Sequence, residues 1–126
     1  MSEENFQKNV LGEKLEPCSN EPLTGWFRDG CCTTNDEDFG VHTVCAKVTE
    51  NFLQWSKAGG NDLITPHLEV DFPGLKDGDC WCVCASTFAQ AIDAGKACKI
   101  FLKKTNQKTL EVIPLAKLKK FAIDIS

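Results

Sequence analysis

The chain has little histidine, still less arginine, and no long apolar run. Histidine occurs only as His42 and His67, and arginine only as Arg28. Histidine-based catalysis and bidentate anion capture therefore have few candidates. No stretch approaches the roughly 20 apolar residues of a membrane-spanning helix. The polar opening Met1–Val10 lacks the apolar core of a secretory signal. Together these absences lead to the expectation of a soluble, cytoplasmic protein with no membrane partner. Eighteen acids against fourteen bases leave a net charge of −4. Such a surface repels phosphate backbones, so no nucleic-acid partner is expected. Lys117, Lys119 and Lys120 alternate with Leu115, Leu118 and Ala122 at helical spacing, the pattern of a solvated helix face. Local signatures are missing too: no G-x-S-x-G elbow, no phosphate-binding loop, no dinucleotide fingerprint and no C-x-x-C.

Cysteine is what the chain has in excess. Eight cysteines in 126 residues is high for a cytosolic protein. In a reducing compartment persistent disulfides are disfavoured. The thiols then pack as small hydrophobes, ligate a metal or do thiol chemistry.

A length of 126 residues and 42% hydrophobic content suit one domain. Residues 1–8 read as a flexible N-terminus and 9–126 as a single domain. From Gly12 to Gly40 no periodicity is visible, and Pro17, Pro22, Gly25, Gly30 and Asp36–Asp38 punctuate the segment. Ordering so long a loop costs about 1–2 kcal/mol per residue in backbone entropy, so a staple is expected, with Cys18, Cys31 and Cys32 lying inside it. A metal or dense thiol burial is preferred to a disulfide as that constraint, with at least two of Cys18, Cys32 and Cys45 converging near Cys82 or Cys84. The acidic residues up to Asp38 fail the EF-hand pattern, since Val41 and Lys47 fall at its sixth and twelfth positions; a solvated turn suffices.

Val41–Val48 reads as a strand, followed by a helix capped by Thr49 and ending at Gly59. Cys80–Ala85 is apolar on both faces, as in a central strand, with a second helix capped by Ser86 and closed by Gly95. Ala97–Leu102 and Thr109–Ile113 read as a hairpin, and Pro114 opens a terminal helix. The sum is an α+β fold: a small, mainly antiparallel sheet, two or three short helices and a long Cys-rich N-terminal loop.

Several phrases carry a resemblance. Asn9–Gly12, Cys18-Ser19, Pro22–Gly25, Arg28–Cys32, His42–Ala46, Gly60–Leu63, Phe72–Leu75 and Gly78–Ala85 occur in the order seen in the bacterial family called domain of unknown function 2237. The likeness spans about residues 9–122. It implies a compact stand-alone domain with no assigned activity, and a pattern that includes cysteines matching Cys18, Cys32, Cys45, Cys82 and Cys84. Cys80 and Cys98 fall where other residues are typical of the family.

Three functions follow as alternatives, and enzymatic activity stays open. The first is a thiol-ligated zinc or iron site drawn from Cys18, Cys32, Cys45, Cys82 and Cys84, since tetrahedral zinc takes four sulfur or nitrogen ligands. His42 and Cys45 face opposite ways on a regular strand, so both could ligate only across a bulge. The second is a thiol redox protein or enzyme using Cys84 or Cys45. Cys84 precedes a helix N-terminus, which favours a thiolate, and His42 is a candidate general base or orienting group. The third is a non-catalytic domain that binds a small ligand or protein. Arg28, Asp29 and His42 are its candidate ligand-binding residues, with a local Arg28–Asp29 ion pair as the bland alternative. Cys82 and Cys84 are expected buried on one sheet face, opposite Trp81 and Val83.

Overall fold

A computed structural model describes residues 7–38 and 41–125. The expected flexible N-terminus therefore lies largely outside the described residues. The chain forms β1 (His42–Lys47), α1 (Glu50–Ala58), β2 (Cys80–Cys84), α2 (Ala85–Ala94), β3 (Lys99–Ile100) and α3 (Leu115–Lys119), with short 3-10 turns between them. It is an α+β fold with a small antiparallel sheet in the order β2-β1-β3. Among the described residues no helix is long and apolar enough to cross a membrane.

Local chemistry explains the helices. The Thr49 side chain accepts the Phe52 amide and caps α1, while Phe52 and Leu53 bury its inner face. α2 ends at Gly95, whose φ of 72° is the left-handed conformation that closes a helix. Its N-cap is Cys84, without a side-chain capping bond, and not the expected Ser86. Strand and helix abut with no linker, so the last residue of β2 becomes the first half-turn of α2.

Two strand expectations are corrected. β2 lies at an edge of the sheet and β1 at its centre. β2 is nevertheless buried because the N-terminal segment covers its open side: the Cys82 amide donates to Thr24 Oγ1 at 2.8 Å. Such covering is how an exposed strand edge is blunted. The hairpin does not form either. Lys99–Ile100 pairs with β1, and Gln107–Glu111 is a 3-10 turn. In that turn the Thr109 hydroxyl meets Thr43 Oγ1 at 2.7 Å, a buried polar contact that a strand would have pointed elsewhere.

The sheet separates two packed regions. On one side Val44, Ala46, Trp81 and Val83 join Phe52, Phe88, Ile100 and Leu118 in the main core. On the other, Cys18, Cys32, Cys45 and Cys82 form a small cluster with Cys80 and Phe101 at its margin. The alternation along Cys80–Cys84 thus sorts Cys82 from Trp81 and Val83 as a strand must. Cys84 departs from that expectation. At the strand end it is only partly buried, where the chain turns into α2.

Candidate functional site

The segment before β1 supplies two of the four clustered cysteines, Cys18 and Cys32, and part of the cleft wall, Trp26 and Arg28. Between residues 7 and 38 it is built of turns and isolated bridges. The amides of Cys18 and Ser19 donate to the Gly30 carbonyl, and the Gly30 amide donates to Thr24. At Gly25, with φ of 102°, a Cβ would run into the Cys31 carbonyl oxygen, so the turn carrying Trp26 and Arg28 requires glycine there.

Cys18 is bonded to Cys45 and Cys32 to Cys82, with Cα atoms 5.7 and 5.4 Å apart. Cys45 and Cys82 face one another across β1 and β2, so both disulfides tie the N-terminal segment to one spot on the sheet. The segment is closed by two disulfides where the sequence favours a metal or dense thiol burial, and the same sulfurs form a group that could hold a metal ion. Of the five proposed metal ligands, Cys18, Cys32, Cys45 and Cys82 gather here and Cys84 does not. The thiols of Cys31, Cys80, Cys84 and Cys98 are free.

Cys84 belongs to a second arrangement. The pairing of β1 with β2 shifts register between His42 and Val44, a bulge that sets His42 directly opposite Cys84. Bulges re-aim side chains in this way and are common beside active sites. Thr43, the bulged residue, is held by Thr109 and by the Asn106 amide, which donates to its carbonyl at 2.9 Å. Val41 has φ of 52°, a strained value for a β-branched residue, costing about 1–3 kcal/mol. Its carbonyl accepts the amides of Thr43 and Ala85, joining the start of β1 to the start of α2.

His42 faces Cys84 across the two strands and pairs with Asp38 through its ring. Nδ1 lies 2.6 Å from Asp38 Oδ1, so Nε2 is the ring nitrogen not engaged by the carboxylate. The Asp38 side chain is 0% exposed, and its Oδ2 accepts the His42 amide at 2.8 Å and the Thr34 hydroxyl at 2.9 Å. A buried carboxylate orienting an imidazole that faces a nucleophilic atom is the arrangement of triad hydrolases. The solvated-turn reading of the acidic run is therefore corrected at Asp38. The one clue in the sequence was an acid four residues before the sole histidine on a predicted strand.

The Cys84 side chain, opposed by burial and reinforced by Asp38, pushes the His42 pKa up to about 9. Burial alone raises the Asp38 carboxyl, but hydrogen bonds from His42 and Thr34 outweigh it and hold the group below its ordinary range. The direction of the His42 shift favours the protonated imidazole. Burial pushes the thiols of Cys31 and Cys80 up, and that of Cys98 up to about 12.

A pH dependence follows. The folded state binds the His42 proton more tightly than an ordinary imidazole near 6.5, so its contribution to stability is complete below pH 6.5 and is lost as pH rises through 9. Asp38 has the opposite sign: its contribution is present above 3.8 and is lost as pH falls below it. The expected urea midpoint declines from pH 6.5 to 9, and the decline is smaller in His42→Gln. Superimposable profiles for the two proteins would contradict the assignment.

Beside the histidine lies a cleft of about 390 Å³, lined by Trp26, Arg28, His42, Leu63, Phe72 and Trp81 among others. Trp26 stacks on His42 with centroids 5.8 Å apart, and the Arg28 guanidinium lies 5.2 Å from the Trp81 centroid. Arg28 and His42 thus share a wall. Asp29 turns away, accepting the Cys31 amide and the Thr33 hydroxyl, and among the described residues Arg28 makes no ion pair. The local Arg28–Asp29 pair is corrected accordingly. His67 also lines the cleft, stacked on Phe72.

A search among curated proteins finds no match. A match to one family covers residues 8–122. The chain therefore belongs to the family described as an uncharacterized protein conserved in bacteria, domain of unknown function 2237.

Proposed function

We propose that the protein is a thiol enzyme in which Cys84 is the nucleophile, His42 the proton-transfer group and Asp38 the residue that orients His42. The observation that carries this reading is His42 paired with a buried carboxylate and set opposite Cys84, the N-cap of α2. An imidazolium and a helix N-terminus are the surroundings in which thiolates act as nucleophiles. Acyl transfer fits these parts. The Cys84 sulfur attacks an activated carbonyl carbon, a C–S bond forms, and the bond to the leaving group breaks as His42 delivers its proton to that group. Water, deprotonated by His42, then cleaves the thioester and restores the thiol.

The net charge of −4 supports a small molecule over nucleic acid as ligand. With p-nitrophenyl acetate, the expected result is a burst of about one equivalent of p-nitrophenolate and an acetyl group mapped to Cys84. Acetylation of several cysteines without a burst would sink the reading.

A second reading rests on the four-cysteine cluster. The sulfur atoms of Cys18, Cys32 and Cys82 all lie within 4.8 Å of one another, with Cys45 bonded to the first. Zinc–sulfur bonds near 2.3 Å place tetrahedral ligands roughly 3.8 Å apart, so the four as thiolates suit zinc better than an oxygen-seeking ion. Disulfide and metal exclude each other, because zinc needs the thiolates. A dithiol reductant would supply two electrons and two protons per disulfide. In a cytoplasmic setting the cluster would be reduced, and in an oxidising one bonded as described above. Elemental analysis of reduced, desalted protein after zinc exposure should find about one equivalent, and the oxidised protein none. No uptake by the reduced form would eliminate this reading.

A further inference from the structure

We infer that the cleft beside His42 binds a small carboxylate with a planar apolar body, its charged end on Arg28 and its body between Trp26, Trp81 and Phe72. This deepens the thiol-enzyme reading and rests on it in one respect: that the bound carboxylate is the substrate or competes with it.

Arg28 is the only arginine in the chain, and its position is set by the turn that Gly25 permits. Its guanidinium lies over Trp81, and among the described residues it has no carboxylate partner. A guanidinium stacked on a ring keeps its in-plane N–H groups free, and that fork matches the two oxygens of a carboxylate. An arginine serving only the fold would be expected to spend those donors on its own loop. Here Asp29, the adjacent acid, is already committed to Cys31 and Thr33.

The remaining charges agree. His42 presents a second cation to the same cleft. Asp62 is the acid on the lining, and it spends its oxygens on the Ile64 and Thr65 amides and the Thr65 hydroxyl. His67 is turned toward Glu69 at 3.5 Å. The walls otherwise are aromatic and aliphatic: Trp26, Leu63, Val70, Phe72 and Trp81. A volume of about 390 Å³ suits a ligand of one ring and a short chain. One fork answers one carboxylate, whereas a phosphate dianion usually gathers several donors.

Trp26 and Trp81 line the cleft and report on it directly. The test is a tryptophan-fluorescence titration of the full chain with phenylacetate, its neutral isostere phenylacetamide, and phenyl phosphate. The expected result is saturable quenching by phenylacetate, at least about tenfold tighter than by the amide, as a charge-assisted bond implies. Arg28→Gln should abolish that preference, and Arg28→Lys should restore it in part. Equal binding of acid and amide, an unaltered preference in Arg28→Gln, tighter binding of phenyl phosphate, or no saturable change would each overturn the assignment. Cys84→Ser separates this inference from its parent. If that variant keeps the carboxylate preference while wild type forms no acetyl-enzyme, the thiol reading fails and the ligand assignment stands. If wild type is acetylated at Cys84 yet shows no preference, the reverse holds.

Discussion

Reduction of the two disulfides is expected to lower stability by roughly 4–8 kcal/mol, since each such link typically contributes about 2–4. The pairs close separations of 27 and 50 residues, and both fasten the N-terminal segment to β1 and β2. A domain of ordinary stability has about 5–15 kcal/mol in all, so the reduced, metal-free protein stands near the limit of folding. The main core of Phe52, Phe88, Ile100 and Leu118 lies on the other side of the sheet and holds that segment only at its start, through Val10 and Leu11. Reduction should therefore free the Trp26–Arg28 turn before helices α1 and α2 melt. Urea unfolding with and without a phosphine reductant, followed by tryptophan fluorescence and far-ultraviolet circular dichroism, reads both effects. An unchanged midpoint would mean that the four sulfurs serve only as packing.

Asp38→Asn is expected to reduce acylation of Cys84 by about 10²–10⁴-fold, the range over which positioned proton-transfer groups act. The Asp38 carboxylate accepts three hydrogen bonds, two of them from His42. An amide of the same shape offers one acceptor oxygen, so either the imidazole or the Thr34 and backbone contacts lose a partner. Loss of a buried acceptor should also cost about 1–3 kcal/mol in stability. A purely structural role would lower stability while leaving the rate per folded molecule intact. Measuring the burst rate on protein shown to be folded, with the exposed Asp36→Asn as control, separates the two. Equal burst rates for Asp38→Asn and Asp36→Asn would remove Asp38 from the proposed mechanism.

The helices α1 and α2 were legible because their signals are local: Thr49 before Phe52, and Gly59 and Gly95 at the ends. The two longer strands were legible for the same reason. The hairpin over Ala97–Ile113 was misread because Leu110, Val112 and Ile113 look like a strand. In the structure Leu110 and Val112 are exposed, and only Ile113 is buried. What decides this segment is the distant contact of Thr109 with Thr43, which no local pattern encodes. β2 reads as central because both its faces are apolar; the cover on its open edge comes from Thr24, 58 residues earlier in the chain.

The site divides in the same way. Cys84 and His42 could be singled out from residue type and from the helix that follows Cys84. Their pairing depends on a bulge at Thr43, and bulges leave no fixed mark on a sequence. Asp38 looked like one more acid in a solvated turn, because burial is a property of the whole fold. The partners within the cysteine cluster were open for a similar reason, since connectivity follows from how Cys45 and Cys82 meet across the sheet.

The central claim, that Cys84 is activated by His42, is tested most directly by the rate of alkylation of each free thiol. Iodoacetamide at pH 7, quenched at intervals and mapped by peptide mass spectrometry, compares Cys84 with Cys31, Cys80 and Cys98 in one sample. Burial pushes the other three thiols up, and Cys84 is the free thiol set opposite His42. The account predicts that Cys84 reacts at least about ten times faster than any of them, and that His42→Ala, with its fold verified, brings Cys84 down to their level. Equal rates for the four thiols in the wild-type protein, or an undiminished Cys84 rate in His42→Ala, would contradict it.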